Sequence, residues 1–361
     1  MPQSAYIHIP FCRSKCKYCS FVSFNKPEPI TAYMYSIMKE ISENYSGEEL
    51  KTLYFGGGTP SIIPIDLIQK VIKKFRLAKN AEITFELNPD DSNPDYLTGL
   101  LNMGVNRLSI GSQTFDDNIL KLIGRRHNSN QIINAVYEAK QAGFENISVD
   151  LIYGLPTQTL IGVKKDLDKV LNLDIQHVST YGLKIEKEAF FGKNPPENLP
   201  DEDEQADMYE FINNILESKG FLRYEISNFA QSGFESKHNL NYWNNNEYYG
   251  FGTAAHGYNN GIRYYNHGTI EKYIEKPSSH AFGKLLTEKE KLEEEIFLGF
   301  RKTSGIDVLR INNRFNIDFE TKYSDVLEKY SDFFEKTPNG YKLNIKGIMV
   351  SNIILAEFLE E

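Results

Sequence analysis

Phe11-Cys-Arg-Ser-Lys-Cys-Lys-Tyr-Cys19 holds all three cysteines of the 361-residue chain. An odd set packed into eight residues, with no cysteine elsewhere, is no disulfide framework. It reads as a soft-ligand site for a metal ion or an iron–sulfur cluster. Three thiolates would leave one iron of a four-iron cluster without a protein ligand, and that open position is where chemistry can occur. A second reading of the same residues is a Cys3His zinc site that uses His8.

What surrounds this loop decides the fold. β-rich runs at Ala5–Ile9, Thr52–Phe55, Glu82–Leu87, Asn106–Ile110, Asn146–Ile152 and Ile175–Leu183 alternate with helix-patterned stretches near 30–45, 64–77, 94–103, 129–142 and 159–172. That alternation predicts parallel βα units. Pro64 marks a helix start, and Gly104 and Gly143 sit just past helix ends. Six strands are too few for a closed eight-stranded barrel. The expectation is α/β: a partial, six-unit βα barrel or an open doubly wound sheet. In either, the carboxyl ends of the strands carry the site. The unusual residues fall there: the cysteine loop, then Gly56-Gly57-Gly58-Thr59-Pro60, then Glu86 with Asn88-Pro89, then Gly111-Ser112-Gln113, then Asp150. A glycine run admits a ligand close to the backbone. For Glu86 and Asp150 a buried structural hydrogen bond is the plain alternative.

Beyond residue 185 the pattern changes. Pro195, Pro196 and Pro200 with a run of acids predict a surface connection into a helix over 202–219, and 221–267 reads as irregular backbone rich in Tyr, Asn and Gly. Thr287 and Glu290 have capping-box spacing and open a further helix. Thr337-Pro-Asn-Gly340 predicts a turn before a strand at Tyr341–Ile345, and a last helix carries Ile353, Ile354 and Phe358. The expected units are a core over 1–185, a barrel-associated extension over 186–285, and a small, mainly helical, winged-helix-like domain over 286–361. Winged helices often bind DNA, but a net charge of −9 argues against nucleic acid as a partner. No apolar run reaches the roughly 20 residues of a membrane span, and the amino terminus has no secretory pattern. With reduced thiols, these features predict a cytoplasmic protein.

The phrases Tyr6-Ile-His-Ile-Pro-Phe-Cys12, Tyr54-Phe-Gly-Gly-Gly-Thr-Pro60, Asn106-Arg-Leu-Ser-Ile-Gly-Ser-Gln113 and Val149-Asp-Leu-Ile-Tyr-Gly-Leu-Pro156 resemble the radical S-adenosylmethionine (SAM) superfamily. The nearer resemblance is to its oxygen-independent coproporphyrinogen III oxidase-like branch. With His238-Asn-Leu-Asn-Tyr-Trp243, it is similar above all to the haem chaperone group within that branch. The likeness runs from about Tyr6 to Tyr258 and more weakly through the C-terminal part. It implies a [4Fe–4S] cluster on Cys12, Cys16 and Cys19, with SAM chelating the fourth iron. In such proteins the reduced cluster cleaves the sulfonium to a 5′-deoxyadenosyl radical. The resemblance also places Gly57, Gly58 and Thr59 at the SAM methionyl end and Glu86 at the ribose. Tyr6, Tyr18, Gln113, Arg125 and Asp150 match further SAM positions.

Two features separate an oxidase from a carrier. The oxidases that this chain resembles have a fourth cysteine two residues after the third, where Phe21 stands here, and an N-terminal extension that the five residues before Tyr6 do not supply. The resemblance therefore implies haem carried as cargo to acceptor haemoproteins, some of them membrane-associated, with oxidase activity as the alternative. Whether SAM is cleaved productively and whether the chain forms a homodimer stay open. His238 is the candidate haem ligand, flanked by Tyr242 and Trp243, whose flat apolar faces suit a macrocycle. The plain alternative is a hydrogen-bonded histidine packed under the barrel. His256, in Gly252-Thr-Ala-Ala-His-Gly257, is a second candidate, for which a structural role is the stronger expectation.

Overall fold

The computed structural model of the chain describes residues 1–25 and 29–359. Six parallel strands, β1 (Ser4–Ile9), β2 (Leu50–Gly57), β3 (Leu77–Leu87), β4 (Arg107–Gln113), β5 (Ile147–Tyr153) and β6 (His177–Gly182), pair in chain order. Between them run α1 (Ile30–Asn44), α2 (Ile65–Ile72), α3 (Pro94–Asn102), α4 (Asp117–Leu122), α5 (Ser129–Ala142) and α6 (Leu160–Leu171). This is the partial βα barrel, and its expected strands and helices are in place. Local chemistry fixes the helix ends. Asn128 and Gln131 form a capping box on α5, and Gly143 closes the helix at φ 106°, a left-handed conformation that a side chain disfavours. Pro64 stands one residue before α2, at its N-cap.

The strands alternate with period two, and the two faces have opposite chemistry. Leu53, Phe55, Ile83, Phe85, Leu108, Ile110, Val149 and Val178 join the buried apolar core together with helix residues such as Ile37, Leu97 and Val136. Burying a large apolar side chain of this kind contributes roughly 1.5–3 kcal/mol, so the outer layer holds the barrel together. The alternate residues, Tyr54, Glu86, Arg107, Ser109, Asp150 and Ser179 among them, line an interior cavity. A closed eight-stranded barrel fills that space with branched apolar side chains; this one keeps it polar.

After β6 come α7 (Phe190–Lys193), α8 (Glu202–Ser218), β7 (Leu222–Arg223) and β8 (Asn228–Ala230), the last antiparallel to β6. The stretch 221–267 is more regular than its composition predicts. It contains helix α9 (Lys237–Trp243), strand β9 (Tyr249–Phe251), which pairs parallel with β1, and strands β10 (His256–Asn259) and β11 (Ile262–Asn266). After α10 (Ile270–Glu275), β12 (His280–Leu285) completes a three-stranded antiparallel sheet with β10 and β11. These strands are two to six residues long and take their order from long-range pairing, which local pattern does not reveal.

Helix α11 (Glu288–Gly299) opens on the Thr287–Glu290 capping box as expected. The remaining residues form short helices and an antiparallel hairpin, Phe334–Thr337 with Gly340–Leu343. The second hairpin strand ends two residues earlier than its sequence suggests, because Asn344 caps a helix at Ile345–Met349. Ile353 and Ile354 lie on the helix Ser351–Ala356, while Phe358 lies just beyond it and is buried with Phe300 and Phe319 in a separate core cluster.

Glu40 on α1 ties distant segments together. Its carboxylate accepts from Gly252 N at 2.9 Å, from Asn266 Nδ2 at 2.7 Å and from the Tyr273 hydroxyl. Burial drives its pKa from 4.5 up to about 8, outweighing these donors. Between those values the folded chain holds a proton that the unfolded chain has released, so stability is fully present below about pH 4.5 and is lost as pH rises through 8. Urea midpoints are therefore expected to fall from about pH 5 to about pH 8. Glu40→Gln should reduce that slope; an unchanged slope would contradict the assignment.

Candidate functional site

The cysteine loop leaves the carboxyl end of β1 and is held by backbone bonds at both ends. Cys12 N donates to Phe24 O at 2.9 Å, and Phe24 N donates to Pro10 O at 2.7 Å. Its middle is pinned to the turn after α4, where Lys17 N donates to Ile123 O at 2.9 Å. All three cysteines are half-buried and unpaired. They line one cavity of about 450 Å³ together with Tyr18, Gly57, Gly58 and Thr59 on one side and Glu86, Gln113, Arg125 and Asp150 on the other. Residues spread over 140 positions of sequence therefore converge at the strand ends. Phe21 is also on the rim, with 66% of its surface exposed.

Each wall has a local reason. Thr59 donates to Cys12 Sγ at 3.4 Å, and Arg125 Nη1 donates to Cys16 Sγ at 3.6 Å, so two sulfurs already face hydrogen-bond donors. Arg125 Nη2 is fixed by Asn88 Oδ1 and Gly111 O, each at 2.6 Å. Gly57 has φ 111°, and its N–H donates to Glu86 Oε2 at 3.1 Å while the Tyr54 hydroxyl donates to Oε1 at 2.9 Å. Gly58 is pressed against the cysteine loop: a Cβ there would stand 2.7 Å from Phe11 O and 2.8 Å from Ile9 O. Gln113, at φ 69°, holds a left-handed backbone without being glycine. Asp150 accepts from Ser109 Oγ at 3.0 Å and Ser148 Oγ at 3.3 Å.

Burial dominates the electrostatics. It pushes the Cys12 and Cys19 thiols and the Tyr18 phenol up, and raises Glu86 to about 7. Metal loading must therefore displace protons from these thiols. The donor set fits an iron–sulfur cluster with a small zwitterionic partner: three sulfurs, backbone N–H groups on a glycine run, carboxylates and a guanidinium around one cavity. His8 takes no part in it. Its Nδ1 accepts from the Tyr6 hydroxyl at 3.0 Å, its Nε2 donates to Val22 O at 2.9 Å, and burial lowers its pKa to about 4. With both nitrogens engaged, His8 is no fourth ligand for zinc.

Two expected residues lie behind the cavity wall. Tyr6 reaches His8 and packs against the ring of Tyr54, with centroids 6.0 Å apart. His238, fully buried on α9, bonds Thr52 Oγ1 through Nδ1 at 2.7 Å and the Tyr242 hydroxyl through Nε2 at 2.8 Å, and stacks on Tyr54. To reach an iron it would have to give up one of these bonds. Arg107 is the residue that motif reading passed over. It lines the cavity, is only 2% exposed, and its Nε finds no partner among the described residues. Burial works against its charge, and Glu82 leads the groups that sustain it. The signal was present in β4: a lone arginine on the polar phase of an otherwise apolar strand.

A partial βα barrel with a three-thiol loop at the end of its first strand defines a radical SAM protein, and residues 6–170 match the family model of the radical SAM superfamily. Residues 286–332 match the HemN C-terminal domain. The chain is 40% identical to the heme chaperone HemW of Lactococcus lactis, over 99% of this chain and 97% of that protein. It is 37% identical to the heme chaperone HemW of Bacillus subtilis, over 99% and 100%. Its fold is that of the coproporphyrinogen III oxidase HemN of Escherichia coli, with a TM-score of 0.87, 22% identity, and coverage of 99% of this chain and 90% of that one. The chain belongs to the radical SAM superfamily and, within it, to the family of these HemW proteins. The superfamily implies a [4Fe–4S] cluster and SAM.

Gly58→Ala tests the cradle. Relieving its two short carbonyl contacts requires the cysteine loop to move, at a cost of about 1–3 kcal/mol. Iron and sulfide retained per chain after anaerobic reconstitution should drop, whereas Gly47→Ala, whose Cβ meets nothing within 4 Å but which shares a positive φ, should retain the cluster.

Proposed function

We propose that this chain binds haem and passes it to acceptor haemoproteins, using a radical SAM scaffold as its framework. The observation that carries the reading is near-full-length identity of 37–40% to heme chaperones. It is supported at the rim of the cavity, where Phe21 and not a fourth cysteine follows Cys19. In this reading Cys12, Cys16 and Cys19 hold the cluster. Gly57, Gly58 and Thr59 offer a close backbone to the methionyl end of SAM, and Glu86 takes the ribose. Tyr18, Gln113, Arg125 and Asp150 complete the cradle, with Tyr6 bracing Tyr54 from behind. When bound, the cluster and SAM supply one-electron chemistry.

The residues themselves orient and shield. Arg125 presents positive charge to Cys16 while anchored by Asn88 and Gly111. Glu86, raised to about 7, sits poised between its charged and neutral forms near physiological pH. Among the described residues no helix is long and apolar enough to cross a membrane. We place the protein in the cytoplasm because its thiols are free and its proposed cluster needs them reduced. Acceptors bound to a membrane would then be met from that side.

The deciding experiment is anaerobic reconstitution with iron and sulfide, followed by parallel titration with haem and incubation with coproporphyrinogen III, SAM and a reductant. Tight haem binding without decarboxylation is the expected result. Multiple turnovers to protoporphyrinogen IX would replace the carrier reading by the oxidase one. Zinc in place of iron and sulfide would remove the radical SAM framework altogether.

A further inference from the structure

The haem reading leaves open where the macrocycle sits, and the seven histidines answer differently. His8, His127, His177 and His238 are buried with both ring nitrogens engaged. His267 bonds Ser279, and His280 bonds Asn266. His256 alone makes no side-chain hydrogen bond among the described residues. It is exposed on β10, and burial of part of its ring, followed by the nearby Arg263, lowers its pKa and keeps the imidazole neutral. A neutral imidazole with a free nitrogen is what an iron porphyrin requires as an axial ligand.

Its neighbours form a platform. His256 faces Tyr265 across the β10–β11 ladder, and Tyr265 faces Phe282 across β11–β12. The ring centroids are 5.3 Å apart in both pairs, and the second pair is stacked at 15°. Tyr265 and Phe282 remain 39% and 44% exposed, an unusual state for adjacent aromatics on a regular sheet. This row opens onto a second cavity, of about 810 Å³, whose further wall includes Trp243 at the end of α9. Trp243 Nε1 is buried there without a partner among the described residues. On the same sheet face, two positions along each strand, stand Arg263 and Lys284, paired in register and also lining the cavity. Their present partners are acids of α11: Glu294 for Arg263, at 2.8 Å, and Glu290 for Lys284. Glu293 lines the cavity as well. An aromatic floor with a free imidazole at one end and two cations at the other matches a flat apolar macrocycle that carries two carboxylates.

We propose that haem docks in this second cavity, its face against Tyr265 and Phe282, its iron on His256 and its propionates toward Lys284 and Arg263. This rests on the haem-binding reading above. Helix α9 then joins the two sites. Asn239 lines the cysteine cavity, while Tyr242 and Trp243 line the haem cavity. His238 lies between them, bonded to Tyr242 and stacked on Tyr54. In this arrangement His238 supports the wall that haem touches.

The full chain is titrated with ferric protoporphyrin IX and followed by its Soret band and by the resonance Raman signature of axial ligation. His256→Ala, Phe282→Glu and His238→Ala are compared after circular dichroism has established that each is folded. The wild type should bind with histidine ligation. His256→Ala should lose that signature and weaken binding at least about tenfold, with added imidazole restoring the spectrum, and Phe282→Glu should weaken binding with ligation retained. Wild-type binding and spectrum in both His256→Ala and Phe282→Glu would overturn this site while leaving haem carriage standing. Loss of histidine ligation only in a folded His238→Ala would also overturn it, in favour of His238. Failure of the wild type to bind would overturn the carrier reading itself, and this site with it.

Discussion

The carboxylate of Glu82 at the floor of the barrel is the constraint on which the rest of the structure depends. It accepts from Lys237 N and His238 N, each at 3.0 Å, and from Ser236 Oγ at 3.4 Å. These are donors at the start of α9, and a buried carboxylate with N–H groups directed at it is far cheaper than one left alone. The bonds seat α9 under a barrel whose interior is polar and which would otherwise lie open. A six-strand barrel cannot close on itself, so the helix takes the place of a packed apolar centre.

Consequences run both ways from that seat. Upward, the polar interior continues through Arg107, Ser109, Ser148 and Asp150 to Glu86 and the cysteine loop. The strand-end site is thus the top of a continuous hydrogen-bonding column, and its carboxylates are buried yet supplied with donors. Outward, α9 carries Tyr242 and Trp243 to the surface beside the three-stranded sheet. A seven-residue helix therefore touches both cavities, and chemistry at one can be felt at the other only through it or through the β1–β9 edge.

Glycine and histidine illustrate how identity alone misleads. Three consecutive glycines suggest freedom, but Gly58 is fixed by packing against the Ile9 and Phe11 carbonyls, and Gly57 by its positive φ and its bond to Glu86. His238 carries the motif that draws attention, yet it is the histidine whose two nitrogens are spent within the core. His256, in a plainer context, is the one left free.

The sequence by itself determined the βα alternation, because a parallel strand and its covering helix each write a local period into the chain. It determined the cysteine loop and the strand-end positions of Gly57, Glu86, Gln113 and Asp150, because architecture ties those positions to the end of each strand. It also held the capping chemistry of α5 and α11, which is contained within four residues. Only the tertiary structure decided that 221–267 is a helix plus short strands, since strands of three to five residues exist by virtue of partners far along the chain. It likewise decided that Arg107 faces the cavity, that His8 and His238 are saturated, and that His256 stands free beside Tyr265 and Phe282. Whether a polar side chain is available is a question of what surrounds it in space, and spacing along the chain does not record that.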